Sequence, residues 1–475
     1  MTRTLRRDVD MTSGPILVNL LRFSLPLIFT NLLQMLYNAT DMIVVGLSSE
    51  ADAVGAIGTT SSFVALIVSL FIGLSVGANV VVARHIGAKD EERASRAVHT
   101  STVAALIFGV VGAIVGVLIA RPVMVLMGNE GRLLELSVLY TRIYFVSLPF
   151  HSLSNYAIAL HRAKGDTQTP LAVLTLSGIV NVLLNIFFVL VCDMSVEGVA
   201  IATAVAAALS AVVLYGNLMR ETGPCHFSPK KLCLDWAEMK QILLVGVPSG
   251  IQGALFALSN MMIQSSIIQV NNALCDPGAS YQPVVKGNAA VANLEGFVYT
   301  AVNAVTQATI SFTSQNLGAL KFDRIKRIMV TSYALDFTIA LVLSALLVLF
   351  NRPLLALYGV APSATDALAQ LTYDSAMTRI LWTILPYGLI ATMEIGSGVM
   401  RGLGKTLSST TVCLIGACLL RVIWTKTVFA HHGTLEALFF VYPISWVITG
   451  ISLFLLATIS MRRMRQEKIA TIHEL

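Results

Sequence analysis

Long apolar stretches alternate with short polar segments along nearly the whole chain. Each stretch has about twenty or more residues, the length that an α-helix needs to cross roughly 30 Å of hydrocarbon. Strands of a membrane barrel would be about ten residues long and would alternate apolar with polar positions. The pattern therefore predicts an all-α polytopic membrane protein with twelve transmembrane helices. The predicted spans are Leu20–Gly46, Val54–Ala83, Val98–Ala120, Leu133–Leu160, Thr169–Cys192, Val199–Met219, Ile242–Val270, Ala289–Ser314, Met329–Phe350, Ser375–Met400, Leu407–Ala430 and Leu435–Ile459.

A polar connector separates the first six spans from the last six, and the same landmarks recur in both sets. The recurrence predicts two pseudo-symmetric six-helix lobes, at residues 1–225 and 241–475, with the connector at 226–240. Each set has six spans, so both begin on the same side and the pseudo-two-fold axis should lie along the membrane normal. The matched landmarks are Pro26 and Pro248, Asn38 and Asn260, Gly87-Ala88 and Gly318-Ala319, and Arg162–Thr167 and Arg401–Thr406.

The charge distribution predicts the orientation of the spans. Hydrophobic residues make up 56% of the chain and charged residues only 12%, whereas about 25% of an ordinary soluble domain is charged. Most of the 32 Lys and Arg residues precede the first span or follow even-numbered spans. The positive-inside rule then places the connector and both termini in the cytoplasm. Topology and anionic lipid explain the net charge of +6, and no nucleic-acid partner is expected.

The cysteines indicate neither a zinc site nor a disulfide framework, and the N-terminal segment does not indicate a signal peptide. Cys225 and Cys233 flank His226, but the spacing matches no zinc motif, and the six cysteines form no disulfide pattern. Met1–Pro15 is polar and contains arginine, and it lacks the short apolar core of a signal peptide. We therefore expect a multi-pass protein of the cytoplasmic (inner) membrane of a bacterium.

One group of embedded polar residues lies in the first set of spans. Asp41 lies inside the first apolar stretch, where a carboxylate costs roughly 2.5–3.5 kcal/mol and needs compensation. Asn181 and Asn185 are four residues apart and share one face of span five, and Thr203 in span six adds a hydroxyl. Together they could bind a hard cation or hydrogen-bond Asp41. The alternatives are a water-exposed acid at a helix end and ordinary interhelical hydrogen bonds.

Two further acids lie in the second set of spans. Glu295 is early in span eight, and Glu394 is inside span ten after the apolar sequence from Ile380 to Thr392. Either acid could bind a coupling cation or proton, or pair with a cationic substrate. Since Arg401 follows seven residues after Glu394, a position near the cytoplasmic face stays open for Glu394.

The landmarks resemble the multidrug and toxic compound extrusion (MATE) family from about Leu20 to Ile459. The resemblance implies a V-shaped cavity between two lobes, with efflux coupled to inward movement of Na⁺ or H⁺ by alternating access. The matching elements are the prolines of spans one and seven, the two Gly-Ala loops, Arg162–Pro170 with its Gly-Asp-Thr core, the Asn181/Asn185 pair and Arg421 in span eleven.

The resemblance also implies roles for particular residues. It maps Asp41, Asn181 and Thr203 onto a cation site of the N-terminal lobe, which would be the Na⁺ site. Many members carry a second acid where Asn185 stands, and those with C-lobe coupling have acids in spans seven, eight or ten. Span seven of this chain has no acid, so which lobe carries the coupling ion stays open.

We expect a secondary active antiporter that exports small amphipathic or cationic organic compounds and works as a monomer with no cofactor besides the coupling ion. A lipid-linked oligosaccharide flippase of the same superfamily is the alternative, and its cavity should be more basic. The sequence contains no nucleophile–base pair that would indicate an enzyme. It also contains no P-loop that would indicate an ATP-driven pump. The longer segment Asn271–Asn288 is either a cap or a solvated loop. The residues expected to line the substrate cavity are Asn38, Tyr37, Asn260 and Met261.

Overall fold

The computed structural model describes residues 8–48, 50, 52–275 and 281–473. These ranges form α-helices with short π- and 3₁₀-helical segments and contain no strand. The α-helices are α1 (Ile16–Val45), α2 (Ala53–Gly87), α3 (Glu91–Leu126), α4 (Gly131–Val146), α5 (Leu148–Lys164), α6 (Gln168–Ile186), α7 (Val196–Arg220), α8 (Trp236–Leu274), α9 (Pro283–Gly318), α10 (Phe322–Leu349), α11 (Asn351–Ala356), α12 (Ala367–Arg379), α13 (Ile390–Gly402), α14 (Thr406–Cys413), α15 (Leu420–Trp424), α16 (Ala430–His432), α17 (Leu435–Phe439) and α18 (Val441–His473). The π-helical segments are Phe187–Val191, Ile380–Ile384, Leu414–Leu419 and Thr425–Phe429, and the 3₁₀ turns are Pro229–Lys231 and Tyr387–Leu389.

Each predicted span coincides with one helix or with consecutive helical segments. By length and composition, ten helical segments of the described chain could cross a membrane, and the pair α4 and α5, bent by 49°, would be an eleventh. Predicted span eight corresponds to α9, whose apolar sequence is interrupted by Asn288, Asn293 and Glu295. The 36 residues of α9 still suffice to cross roughly 30 Å. The predicted all-α membrane architecture is confirmed.

Four of the prolines within the predicted spans have two different effects. Pro26 and Pro248 lie inside the continuous helices α1 and α8. Pro149 follows the bend between α4 and α5, and Pro386 separates a π-helical segment from a 3₁₀ turn. Proline lacks an N–H and its ring crowds the preceding turn, which favours a break at such positions. A bend therefore accompanies the proline of span four, and a change of helix type accompanies the proline of span ten.

The described chain divides into two compact units. The first unit runs up to Gly253 and includes Ser314–Lys321, and the second unit comprises Ala254–Thr313 and the chain from Phe322 onward. This division differs from the predicted lobe boundary because the first part of α8 packs on α2. A Cβ at Gly73 would overlap the backbone of Gly250, so only glycine permits that approach. The lobes at 1–225 and 241–475 stay a prediction.

The two Gly-Ala landmarks of the repeat meet each other in the first unit. A Cβ at Gly87 would overlap the backbone carbonyl of Gln315, and a Cβ at Gly318 would overlap that of Arg84. The Gln315 side chain also donates to the carbonyl oxygen of Ala163 at 2.7 Å. The contact is reciprocal, which gives a steric reason for glycine at both positions of the repeat.

In the second unit, α10, α13 and α18 pack around the embedded acids. The Thr392 hydroxyl contacts the Trp446 carbonyl oxygen at 3.1 Å, and the ring of Trp446 meets that of Tyr387 edge-on at 5.4 Å. The Phe337 ring of α10 lies over Gly388, just before α13. These contacts hold α13, the helix that carries Glu394, against α10 and α18.

Candidate functional site

Four of the predicted side chains meet in the first unit, on α1, α6 and α7. Asn185 Nδ2 donates to Asp41 Oδ1 at 2.5 Å and lies 3.3 Å from Asn181 Oδ1. Asn181 Nδ2 lies 3.4 Å from Thr203 Oγ1, and that hydroxyl donates to the Val199 carbonyl oxygen at 3.0 Å. The four-residue spacing of the asparagines therefore builds a continuous polar chain from Asp41 to Thr203.

Apolar side chains pack near Asp41, and no basic side chain of the described residues pairs with it. Asp41 is 9% exposed and Asn185 is fully buried, and an apolar cluster that includes Val44, Val45 and Val189 lies at this end of α1. Within the described residues, Asp41 forms no ion pair and the buried Asn185 Oδ1 accepts no hydrogen bond. A buried carboxylate with one amide donor is costly unless a proton or cation neutralises it. The carboxylate, amide and hydroxyl oxygens present are the ligand types that hard cations take.

Two tyrosines of α4 complete this site and were not predicted from the sequence. Tyr140 and Tyr144 lie within electrostatic reach of Asp41, and their rings stack at 6.4 Å between centroids. His151 stacks on Tyr144 at 5.1 Å. The helical spacing of the two tyrosines is the signal that could have indicated their shared face.

In the second unit, Glu295 is neutralised by an arginine. Arg379 Nη2 donates to Glu295 Oε2 at 2.8 Å, and Arg379 Nη1 lies 3.4 Å from the Asn288 carbonyl oxygen. The guanidinium also lies over the Phe439 ring, 5.5 Å from its centroid. The charge of Glu295 is therefore paired within the protein, and its role in ion coupling stays a prediction.

Glu394 stands apart from that ion pair and belongs to a second group of polar side chains. It is 9% exposed on α13, and the charge of Arg401, about two turns further along the same helix, attracts it without a contact of ion-pair length. The charge of Glu394 also reaches Tyr299 of α9 and Asp336 of α10. The structure therefore separates the two predicted C-terminal acids into a paired one and an unpaired one.

One family model matches more than half of the sequence, in two segments. The MatE family model matches residues 26–187 and 283–425. The chain belongs to the MatE family. Members of this family are transporters, so this MatE protein is a multi-pass membrane transporter of small molecules.

Two curated relatives of this MatE protein match almost its whole length, and a third matches more than half of it. The probable multidrug resistance protein YoeA of Bacillus subtilis is 26% identical over 446 residues, which are 91% of each chain. The FAD transporter of Shewanella oneidensis is 22% identical over 455 residues, 94% of this chain and 95% of that protein. The multidrug export protein MepA of Staphylococcus aureus is 22% identical over 57% of this chain and 60% of its own.

Solved structures confirm the fold class of this MatE protein. One is an outward-facing multidrug resistance MATE family transporter of the MOP superfamily, with a TM-score of 0.86, 20% identity, and coverage of 98% of this chain and 100% of that one. Another is a MOP superfamily transporter from Pyrococcus furiosus described as having a binding pocket of reverse polarity, with a TM-score of 0.85, 21% identity, and coverage of 97% and 99%. The twelve-helix transporter fold is thereby confirmed.

Asp336 is the acid of this MatE protein that sequence reasoning missed. It is fully buried on α10, and neither carboxylate oxygen has a hydrogen-bond partner among the described residues. Its signal in the sequence is a single acid within predicted span nine, Met329–Phe350, which is otherwise apolar around it. Like Glu394, Asp336 is a buried acid within a predicted membrane span, which makes it a candidate functional residue.

The predicted substrate-cavity residues lie in different units. Asn38 is exposed and Tyr37 is half-buried in the first unit, where the Tyr37 hydroxyl lies 3.3 Å from the Thr175 carbonyl oxygen. The Tyr37 ring also occupies the space that a side chain at Gly178 would need. Asn260 and Met261 are both exposed in the second unit. Their role in a cavity stays a prediction, as does a cap at Asn271–Asn288, where residues 276–280 lie outside the described chain.

Proposed function

We propose that this MatE protein is a secondary active antiporter that exports small amphipathic or cationic organic compounds in exchange for Na⁺ or H⁺. The observation that carries the proposal is the Asp41 carboxylate, which is buried, receives one amide donor and forms no ion pair with a basic side chain of the described residues. The names of the Bacillus and Staphylococcus relatives, which are multidrug resistance and export proteins, support export of such compounds.

The polar chain explains how ion binding would change the conformational equilibrium. With Na⁺ or a proton on Asp41, the cluster of Asp41, Asn181, Asn185 and Thr203 is neutral and can stay enclosed by α1, α6 and α7. After the ion leaves, the uncompensated carboxylate favours a conformation in which water reaches it. A substrate that binds best to one of these conformations is thereby coupled to the ion. In the second unit, Glu394 is the corresponding candidate for binding the coupling ion.

The test is transport by the purified full-length protein in lipid vesicles. Ethidium, a fluorescent organic cation, is followed under a Na⁺ gradient and, separately, under a pH gradient. We expect one of the gradients to drive ethidium movement. We expect Asp41→Asn to abolish that movement while Asp374→Asn, which changes an exposed acid of α12, leaves it unchanged. No movement under either gradient, or full activity of Asp41→Asn, would contradict the proposal.

Organic anions, including a lipid-linked oligosaccharide, are the second candidate substrate class. Arg421 is buried at 5% exposure and contacts the Tyr442 ring at 4.3 Å and Ser445 Oγ at 3.4 Å. It forms no ion pair with a carboxylate of the described chain, and the Shewanella relative is named an FAD transporter. Competition of FAD or a polyprenyl-diphosphate sugar with ethidium binding, lost in Arg421→Gln, would favour this class.

We further propose that the protein acts as a monomer in the cytoplasmic membrane with both termini in the cytoplasm. Native cysteines allow a direct test, since Cys192 between α6 and α7 and Cys233 between α7 and α8 are both exposed. A membrane-impermeant maleimide added to intact cells should label Cys192 and should reach Cys233 only after permeabilisation. Labelling of Cys233 in intact cells would reverse the orientation.

A further inference from the structure

A second buried acid of the second unit lies on α10, which packs against α13, the helix that carries Glu394. Asp336 lies on the buried face of α10, together with Met329, Ser332 and Ala340. Its exposure is 0%, and within the described residues neither Oδ1 nor Oδ2 has a hydrogen-bond partner. Ser332, one turn earlier on the same face, donates nothing to it, since the Ser332 hydroxyl is also without a partner there. Asp336 is thus enclosed without a donor that would stabilise its ionised form.

Packing between α10 and α13 places Asp336 at the level of Glu394. Tyr333, three residues before Asp336, lies with its hydroxyl 3.3 Å from the Thr392 carbonyl oxygen. Phe337, the next residue after Asp336, covers Gly388. Glu394 therefore stands on the stretch of α13 that α10 covers, and its charge acts on Asp336.

The other charged and titratable groups near this pair favour ionisation of only one member. Arg401 acts on Glu394, and no lysine or arginine of the described chain forms an ion pair with Asp336. Two carboxylates in a site of low dielectric repel each other strongly, so the second charge is the more expensive one. The groups that surround the pair are Glu394 and Arg401 of α13, Tyr299 of α9, Tyr333 of α10, Tyr387 of the 3₁₀ turn and Cys413 of α14.

We propose that Asp336 is a proton-binding site, the neutral member of an acid pair whose ionised member is Glu394. The use of this proton in transport rests on the proposed function above. A proton needs no coordination shell, whereas hard cations in proteins take about six or more oxygen ligands. Asp336 is fully buried and has no partnered oxygen among the described residues. Release of the proton creates a second carboxylate beside Glu394, which favours a conformation that admits water.

Infrared spectroscopy tests the proton directly, without any transport. A protonated carboxyl has a C=O stretch distinct from that of a carboxylate, and ¹³C at the aspartate side-chain carboxyl shifts the band of aspartates alone. Purified protein carrying Asp41→Asn, labelled in this way, should show a label-shifted protonated band at neutral pH. The band should persist with Glu394→Gln added and disappear with Asp336→Asn added. The exposed control Asp374→Asn should leave it unchanged.

Each outcome of the spectra has a defined meaning. Absence of the label-shifted band from the Asp41→Asn protein overturns the proposal even if Asp336→Asn fails to fold. Persistence of the band in folded Asp336→Asn overturns it as well. In vesicles, Asp336→Asn should slow proton-driven ethidium efflux by roughly tenfold or more without weakening ethidium binding. If the parent protein moves no ethidium, the proposed function fails while the spectroscopic result for Asp336 still stands.

Discussion

Arg379 Nη2 and Glu295 Oε2 lie 2.8 Å apart inside the second unit, with only 10% and 17% of the two side chains exposed. The sequence indicates Glu295 as a candidate for ion coupling, but the structure gives its charge a partner within the protein. An acid that is already paired changes its charge less readily than an unpaired one. The pair therefore favours a structural role for Glu295 and leaves Glu394 and Asp336 as the buried acids of the second unit that form no ion pair among the described residues.

Replacing one partner of this ion pair should destabilise the protein more than replacing both partners. Arg379→Met leaves a buried, uncompensated carboxylate and should lower stability by about 3–5 kcal/mol, whereas the double variant Arg379→Met, Glu295→Met should recover most of the loss. Thermal unfolding of the purified proteins in detergent measures both. Arg465→Met is the matched control because its pair with Asp323 is 3.0 Å long but solvent-exposed, and it should have little effect.

The double variant also decides whether Glu295 carries the coupling ion. If the pair is structural, the folded double variant should still move ethidium under the gradient that drives transport by the parent protein. Loss of ion-driven transport with normal stability would instead support the coupling role predicted from the sequence.

The apolar pattern predicts the helices well because crossing a membrane imposes a minimum length and internal hydrogen bonding. The spacing of Asn181 and Asn185 likewise places both on one helical face, where the structure has them. What the sequence does not contain is the rotation of one helix against another. That rotation pairs Glu295 with Arg379 and turns Asp336 toward α13, so neither relationship could be read from positions within a single span.

Asn185 should stabilise the protein through its contact with Asp41. Asn185→Leu removes the 2.5 Å donor to a buried carboxylate and should cost about 1.5–3 kcal/mol, the range for hydrogen bonds to charged groups. The loss should shrink in the Asp41→Asn background, because the charge is then absent. Asn217→Leu is a suitable control, since the Asn217 amide donates only to the Val213 carbonyl oxygen of its own helix. Equal losses in both backgrounds would show that the contact is not charge-dependent.

Cys225, directly before the connector, should have a reactivity that depends on pH. Burial raises the pKa of the Cys225 thiol to about 12, above the value of about 8.5 for a free cysteine. The thiolate is the nucleophile, so Cys225 should stay unmodified by N-ethylmaleimide from neutral pH to about pH 9 in the folded protein. Unfolding in denaturant should make it react with the ordinary pH dependence of a free thiol. Mass spectrometry of the peptides gives both results, and the exposed Cys233 serves as the internal control. Rapid labelling of Cys225 in the folded protein would contradict the burial.

The reciprocal glycine contact of the repeat should not tolerate a side chain. Gly87→Ala places a Cβ against the backbone carbonyl of Gln315, and Gly318→Ala places one against that of Arg84. A backbone cannot move aside as a flexible side chain can, so each substitution should force the two segments apart and lower the melting temperature. Gly58→Ala is the control on α2, because its Cβ meets nothing within 4 Å. Alanine should be tolerated there or should stabilise the helix slightly.

A pair of cysteines at Ala88 and Gln315 would report the separation of the two segments. Cross-linking should be efficient in the parent background, similar with Gly58→Ala, and reduced with Gly318→Ala. Unchanged cross-linking and stability in Gly318→Ala would show that the close approach is not required for the folded state.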